Sequence, residues 1–174
     1  MIRKWFGLGV VAASLFAAPL TLAAAKDAPA AATSDNLYSQ RGYDPARDPA
    51  VDLEAAIARA TASNKHILIV VGGDWCVWCT ILDRYLAEHA DVRAAFAESF
   101  VVVEVNWSRE NRNAAFLGNY PEQRGYPAFL ILERDGAFVA AQDTELLEQG
   151  RSYSRESMLA FARSWSGRTP GQPS

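Results

Sequence analysis

Ile67-Leu68-Ile69-Val70-Val71-Gly72-Gly73-Asp74-Trp75-Cys76-Val77-Trp78-Cys79 is the stretch on which the fold turns. An unbroken apolar run, rich in β-branched residues, suits a central strand covered on both faces. Gly72 and Gly73 then loosen the backbone, and from Cys76 the pattern turns helical. The chain has 2 cysteines. Spaced C-x-x-C where a strand hands over to a helix, they read as a redox pair, because so short a loop hardly constrains the unfolded chain as a staple. A helix start also supplies unpaired N–H groups and the positive end of the dipole, which favour thiolate over thiol. Cys76, the first of the pair, is therefore the candidate nucleophile.

Working outward, Asp48-Pro49 has the form of a helix start, with Asp as cap and Pro in the first turn. Leu53, Ala56, Ile57 and Ala60 follow at helical spacing toward Asn64, and the strand is expected over 66–71. After the cysteines, Ile81, Leu82, Tyr85 and Leu86 make one apolar stripe. Val92, Ala95 and Phe96 make a second after a break at His89-Ala90-Asp91. Residues 100–106 form the next β-branched strand, and a short helix is expected around 112–117. Residues 128–133 and 137–141 flank the turn Arg134-Asp135-Gly136 as a hairpin. Ser154 caps a final helix with Met158, Phe161, Ala162 and Trp165 on one face. Strands separated by helices run parallel through right-handed crossovers, and the hairpin adds an antiparallel edge. The expected class is α/β, a mixed central sheet with helices on both faces.

Arg3 and Lys4, the apolar stretch 5–16 and Ala23-Ala24-Ala25 have the layout of an export signal, expected over 1–25. Residues 26–47 read as a flexible leader, in which Leu37, Tyr38 and Tyr43 are able to lie against the domain. The domain is expected over 48–166 and a disordered Gly/Pro tail over 167–174. The whole chain carries 17 basic and 20 acidic residues; loss of Arg3 and Lys4 leaves 15 against 20, a net charge of −5. Mild acidity without a basic block gives no natural partner in nucleic acid, nor in a membrane once the signal is removed. Export, with the bacterial periplasm as destination, means oxidising surroundings in which Cys76 and Cys79 pair with each other or with a second protein.

Half a zinc site is the rival reading of C-x-x-C. Completing it would take both His66 and His89, and His66 lies at the opposite end of its strand from Cys76. Both histidines are expected at solvated element ends, and no metal or cofactor is expected.

Trp75-Cys76-Val77-Trp78-Cys79 after a buried strand, with Gly125-Tyr126-Pro127 before the hairpin, resembles the W-C-x-x-C site and cis-proline loop of the thioredoxin superfamily. The likeness covers roughly residues 48–165. Asp74-Trp75-Cys76-Val77, Cys79 and an acid at Asp83 are similar to exported thioredoxin-like domains such as the C-terminal periplasmic domain of the thiol:disulfide interchange protein DsbD. The resemblance implies a thioredoxin fold and thiol–disulfide exchange, with Cys76 attacking and Cys79 resolving. It also implies a cis peptide before Pro127, placed beside the cysteines, with the Tyr126 backbone pairing with extended substrate. Trp75 would shield the site or pack in the core, and Trp78 would shape client contact from an exposed or half-exposed position.

One departure stands out: thioredoxins keep a buried acid six residues before the first cysteine, where this chain has Val70. Glu104, interrupting a valine strand, and Asp83, one turn past Cys79, are the candidate proton relays. The expected partners are cysteine-containing client proteins and a redox partner protein. The Val-Trp pair between the cysteines matches neither the Gly-Pro of thioredoxin nor the Pro-His of DsbA, so direction rests on the DsbD likeness, toward reductase or isomerase. The alternative is a binding or assembly factor for a cysteine client or copper, with the disulfide as a switch.

Overall fold

The computed structural model describes residues 36–167; the signal expected over 1–25, the leader over 26–35 and the tail over 168–174 lie outside the described residues. The chain order is β1 (Tyr38–Gln40), α1 (Pro49–Ser63), β2 (His66–Gly72), α2 (Val77–Glu88), α3 (Ala90–Ser99), β3 (Phe100–Asn106) and α4 (Ala114–Leu117). It continues with β4 (Ala128–Leu132), β5 (Phe138–Gln142), β6 (Glu148–Gln149), β7 (Ser152–Tyr153) and α5 (Arg155–Trp165). Five strands form one sheet in the order β1-β3-β2-β4-β5; β1, β3 and β2 run parallel, and β4 is antiparallel to both β2 and β5. This is the mixed α/β sheet that the strand and helix pattern led us to expect, in the thioredoxin fold that the resemblance implies.

Local chemistry sets the ends of α1 and α5. The Asp48 carboxylate accepts from the Ala50 N–H at 2.9 Å, and Asn64 ends α1 in the left-handed region at φ 55°. Ser154 Oγ accepts from the Ser157 N–H at 3.3 Å to start α5. Alternation along the strands then sorts the core into two layers. Ile67, Ile69, Val71, Val101, Val103 and Val105 meet Ala56, Ala60 and Leu117 on the α1 side. Leu68, Val70, Val102, Phe129 and Ile131 meet α2, α3 and α5 on the other, around Phe96, Phe100 and Phe161. Phe129 is fully buried and packs against Phe96 and Phe161, so truncating it to Ala would cost about 3–5 kcal/mol.

Two expectations are corrected, that of the leader and that of the two histidines. The flexible leader does not extend to residue 47: Leu37 and Tyr43 are buried, and β1 pairs with β3. The cause is long-range, since the Leu37 carbonyl accepts from the Val102 N–H at 2.9 Å. Between the hairpin and α5 lie a 3-10 turn at Thr144–Leu147 and the small β6–β7 hairpin, both too short to leave a periodic signal. His66 is not solvated: it is buried, with Trp165 edge-on at 5.2 Å and Glu133 at 3.6 Å. His89 is half-buried and stacks on Tyr85 at 3.9 Å.

Candidate active site

The strand β2 ends at Gly72, and a turn closed by the Cys76 N–H donating to the Gly73 carbonyl at 2.9 Å delivers Cys76 to the start of α2. Cys76 is the N-cap: its Sγ accepts from the Cys79 N–H at 3.1 Å, so the sulfur takes the place a Ser or Asp oxygen fills at most helix starts. The two cysteines form a disulfide with Cα atoms 5.2 Å apart. Both are buried, at 4 % and 2 % exposure.

Aromatic rings surround the pair. Trp75 is 51 % exposed, which excludes core packing. Its Nε1–H donates to the Trp107 carbonyl at 2.6 Å, and its ring stands edge-on to Trp107 and Tyr126. Trp78 is half-buried and meets Tyr153 edge-on at 5.7 Å. Tyr126 packs against the sulfur cluster. The Tyr126–Pro127 peptide is cis, and the Pro127 carbonyl accepts from the Thr144 hydroxyl at 2.8 Å. From Trp78 a groove of about 760 Å³ runs past Tyr126 and Pro127 toward Glu145 and Glu148.

Glu104 lies beneath this surface. It is opposite Val70 in the β2–β3 register, and alternation puts it on the same face as Val70 and Val102. The carboxylate is thus displaced by one strand from the position where thioredoxins keep theirs. It is 4 % exposed and accepts the Gly42 N–H. Burial first, and the Asp83 charge and hydrogen bond next, push its pKa up to about 8. Asp83 is partly buried beside it. Desolvation, then the Glu104 charge, also holds the buried Tyr43 phenol well above its ordinary range, so this ring stays neutral.

All the candidate residues, Cys76, Cys79, Trp75, Trp78, Tyr126, Pro127, Asp83 and Glu104, therefore come to one end of the sheet. Tyr43, Trp107 and Tyr153 join them without having been singled out for the site. Tyr43 left one clue, a lone aromatic able to pack; Trp107 and Tyr153 left none, because their places depend on turns with no repeating pattern. Among the described residues, no group of three or more His, Cys, Asp or Glu could hold a metal ion.

The sequence matches the family described as Thioredoxin-like over residues 48–133. No curated protein matches it. Among solved structures it is similar to a disulphide isomerase from Xylella fastidiosa Temecula1, at 27% identity and TM-score 0.60, covering 70% of this chain and 94% of that one. It also matches the oxidised DsbD C-terminal domain of Neisseria meningitidis, at 19% identity and TM-score 0.46, covering 59% and 85%. The first shares the fold; the second is too distant to add to it. The disulfide at a helix start and the family match together give the site the chemistry of a thiol–disulfide oxidoreductase.

Proposed function

The chain belongs to the thioredoxin superfamily, and from that premise we propose an exported thiol–disulfide oxidoreductase that exchanges the Cys76–Cys79 pair with cysteines of client proteins, in the reductase or isomerase direction. The observation that carries this reading is the disulfide whose first sulfur caps α2. Reduced, Cys76 keeps that N–H and the helix end beside it, which favour its thiolate.

The thiolate attacks one sulfur of a client disulfide; that bond breaks as the Cys76–client bond forms, and the other client sulfur leaves and takes a proton. Cys79 then loses its proton and attacks Cys76 Sγ, releasing the second client thiol and re-forming the Cys76–Cys79 disulfide. Two electrons have passed to the client. A dithiol redox partner restores the pair.

Trp78 and the Tyr126–Pro127 segment line the groove, and with the exposed Trp75, which stands edge-on to Tyr126, they form the surface on which a client segment lies. Glu104 and Asp83 serve the proton of Cys79. The 27% identity to a disulphide isomerase, over nearly all of that chain, supports the direction.

Two measurements test the proposal. The purified protein with a dithiol reductant is expected to accelerate insulin reduction, and Trp78→Ala to raise the apparent KM for insulin several-fold more than it lowers kcat; no acceleration by the wild type removes the enzyme and favours a binding factor. For export, N-terminal sequencing of the protein from the periplasmic fraction is expected to begin near residue 26, and a retained Met1 or Lys4 there overturns cleavage.

A further inference from the structure

Residues 41–47 join β1 to α1 and pass beneath the redox pair as a strap that lies before the residues matched by the family. They are pinned on both sides of one ring. Upstream, the Leu37 carbonyl pairs with Val102, and Arg59 donates to the Tyr38 carbonyl at 2.5 Å. Gly42 turns the chain at φ 91°, a conformation that favours glycine, and directs its N–H onto Glu104. Downstream, the Asn111 amide donates to the Pro45 carbonyl at 2.8 Å, and Arg47 pairs with Asp52 through two nitrogens.

Between these anchors, Tyr43 is 7 % exposed and is the third buried member of a cluster whose other two are Cys76 and Cys79. Gly72 explains how ring and sulfur meet: a Cβ there would stand 2.5 Å from Cys79 Sγ and 3.1 Å from Tyr43 Cζ. Only a bare backbone leaves both in place, so the position of the ring and the glycine at the end of β2 form one arrangement.

We propose that Tyr43 is a positioning residue of the redox pair: its ring closes the inner side of Cys79 against water and leaves Glu104 as the group that can take the Cys79 proton. A thiol behind an aromatic wall is poorly hydrated, so its thiolate is disfavoured and exchange with bulk water is slow. The groups facing this pocket from the surrounding elements are Tyr38 and Arg41 from β1 and the strap, Asp83 from α2, Glu104 from β3 and Tyr153 from β7. Glu104 is the buried acid among them, and the strap that carries Tyr43 is tied to that carboxylate through Gly42.

The inference rests on the exchange reading for its relevance to turnover, but its test does not need turnover. With Cys76→Ala as background, Cys79 is the sole thiol, and its alkylation by iodoacetamide is followed from pH 6 to 10 in the full chain. The parent is expected to react slowly, with an apparent pKa above the free-cysteine value of about 8.5. Adding Tyr43→Ala is expected to raise the rate at pH 7 about tenfold and lower that pKa by about one unit. Tyr43→Phe should keep the parent profile, since the ring and not the hydroxyl is invoked. Phe100→Val, which loosens the core at the opposite end of β3 from Glu104, is the control for general destabilisation, and Tyr43→Leu serves if the alanine variant does not fold. The proposal is overturned if the Tyr43→Ala or Tyr43→Leu profile coincides with that of Phe100→Val, or if Tyr43→Phe behaves as the truncated variant. Absence of insulin reduction by the wild type would instead strike the exchange reading and leave this result standing.

Discussion

Cys79→Ala is expected to accumulate as a covalent mixed disulfide between Cys76 and client cysteines, visible as reducible high-mass species after expression in an exporting host. Cys76→Ala should form none and should reduce insulin no faster than the free reductant. The asymmetry follows from position. Cys76 caps α2 and has the Cys79 N–H at 3.1 Å, so its charge has a partner. Cys79 lies one turn inside, packed against Gly72 and Tyr43, where a thiolate would have little hydration. Removing the inner sulfur leaves attack intact and abolishes resolution. Equal trapping by the two single variants would mean that either sulfur can attack, and the division of roles would fail. The trapped species also carry the identity of the clients, which no residue of the groove specifies by itself.

Glu104→Gln is expected to do two separable things. The first concerns stability. Burial and Asp83 raise the Glu104 pKa from 4.5 to about 8, so its contribution is fully present below about pH 4.5 and is lost as pH rises through about 8. The oxidised wild type should therefore lose on the order of 3 kcal/mol between those limits, measured by urea unfolding, and the glutamine variant should lose much less. The second concerns rate. A carboxyl titrating near 8 is matched to a thiol, so resolution of a preformed mixed disulfide should rise through that pH in the wild type. In the variant it should be about 100-fold slower at pH 7 and lack that step. Asp83→Asn should shift the step to lower pH, because it removes the charge that opposes ionisation of Glu104. Identical pH profiles in wild type and Glu104→Gln would remove this carboxylate from the mechanism.

Much of the architecture could be read because its signals are local. The valine-rich β3 has no competing interpretation, Asp48-Pro49 and Ser154 mark helix starts by their own hydrogen bonds, and the spacing of Cys76 and Cys79 carries its chemistry with it. Glu104 was readable for a related reason: a single acid in a continuous apolar strand has to be accounted for. What escaped depends on residues far apart in the chain. Tyr38–Gln40 is a strand only because β3, some sixty residues on, offers an unpaired edge. His66 is buried because Trp165 and Glu133 arrive from other elements. Trp75 remains at the surface because Trp107 and Tyr126 brace it there instead of covering it. Two-residue strands such as β6 and β7 have no period to detect.

The margins of the five-stranded sheet bear on the proposed exchange with client proteins, which would meet the site while still incompletely folded. On one side β1 offers only three residues, and its register with β3 shifts between Tyr38 and Gln40; on the other, the register of β4 with β5 shifts between Ile131 and Leu132. Such irregularities increase local twist and interrupt the row of unpaired N–H and C=O groups that a foreign strand would need for pairing. An unfolded client is a supply of such strands at high local concentration. A flat, regular margin would hold it by backbone pairing after exchange was complete and would seed aggregation. Under the proposed function, the broken margins would confine lasting attachment to the sulfur, so that release of a client would depend on Cys79 and not on peeling one sheet from another.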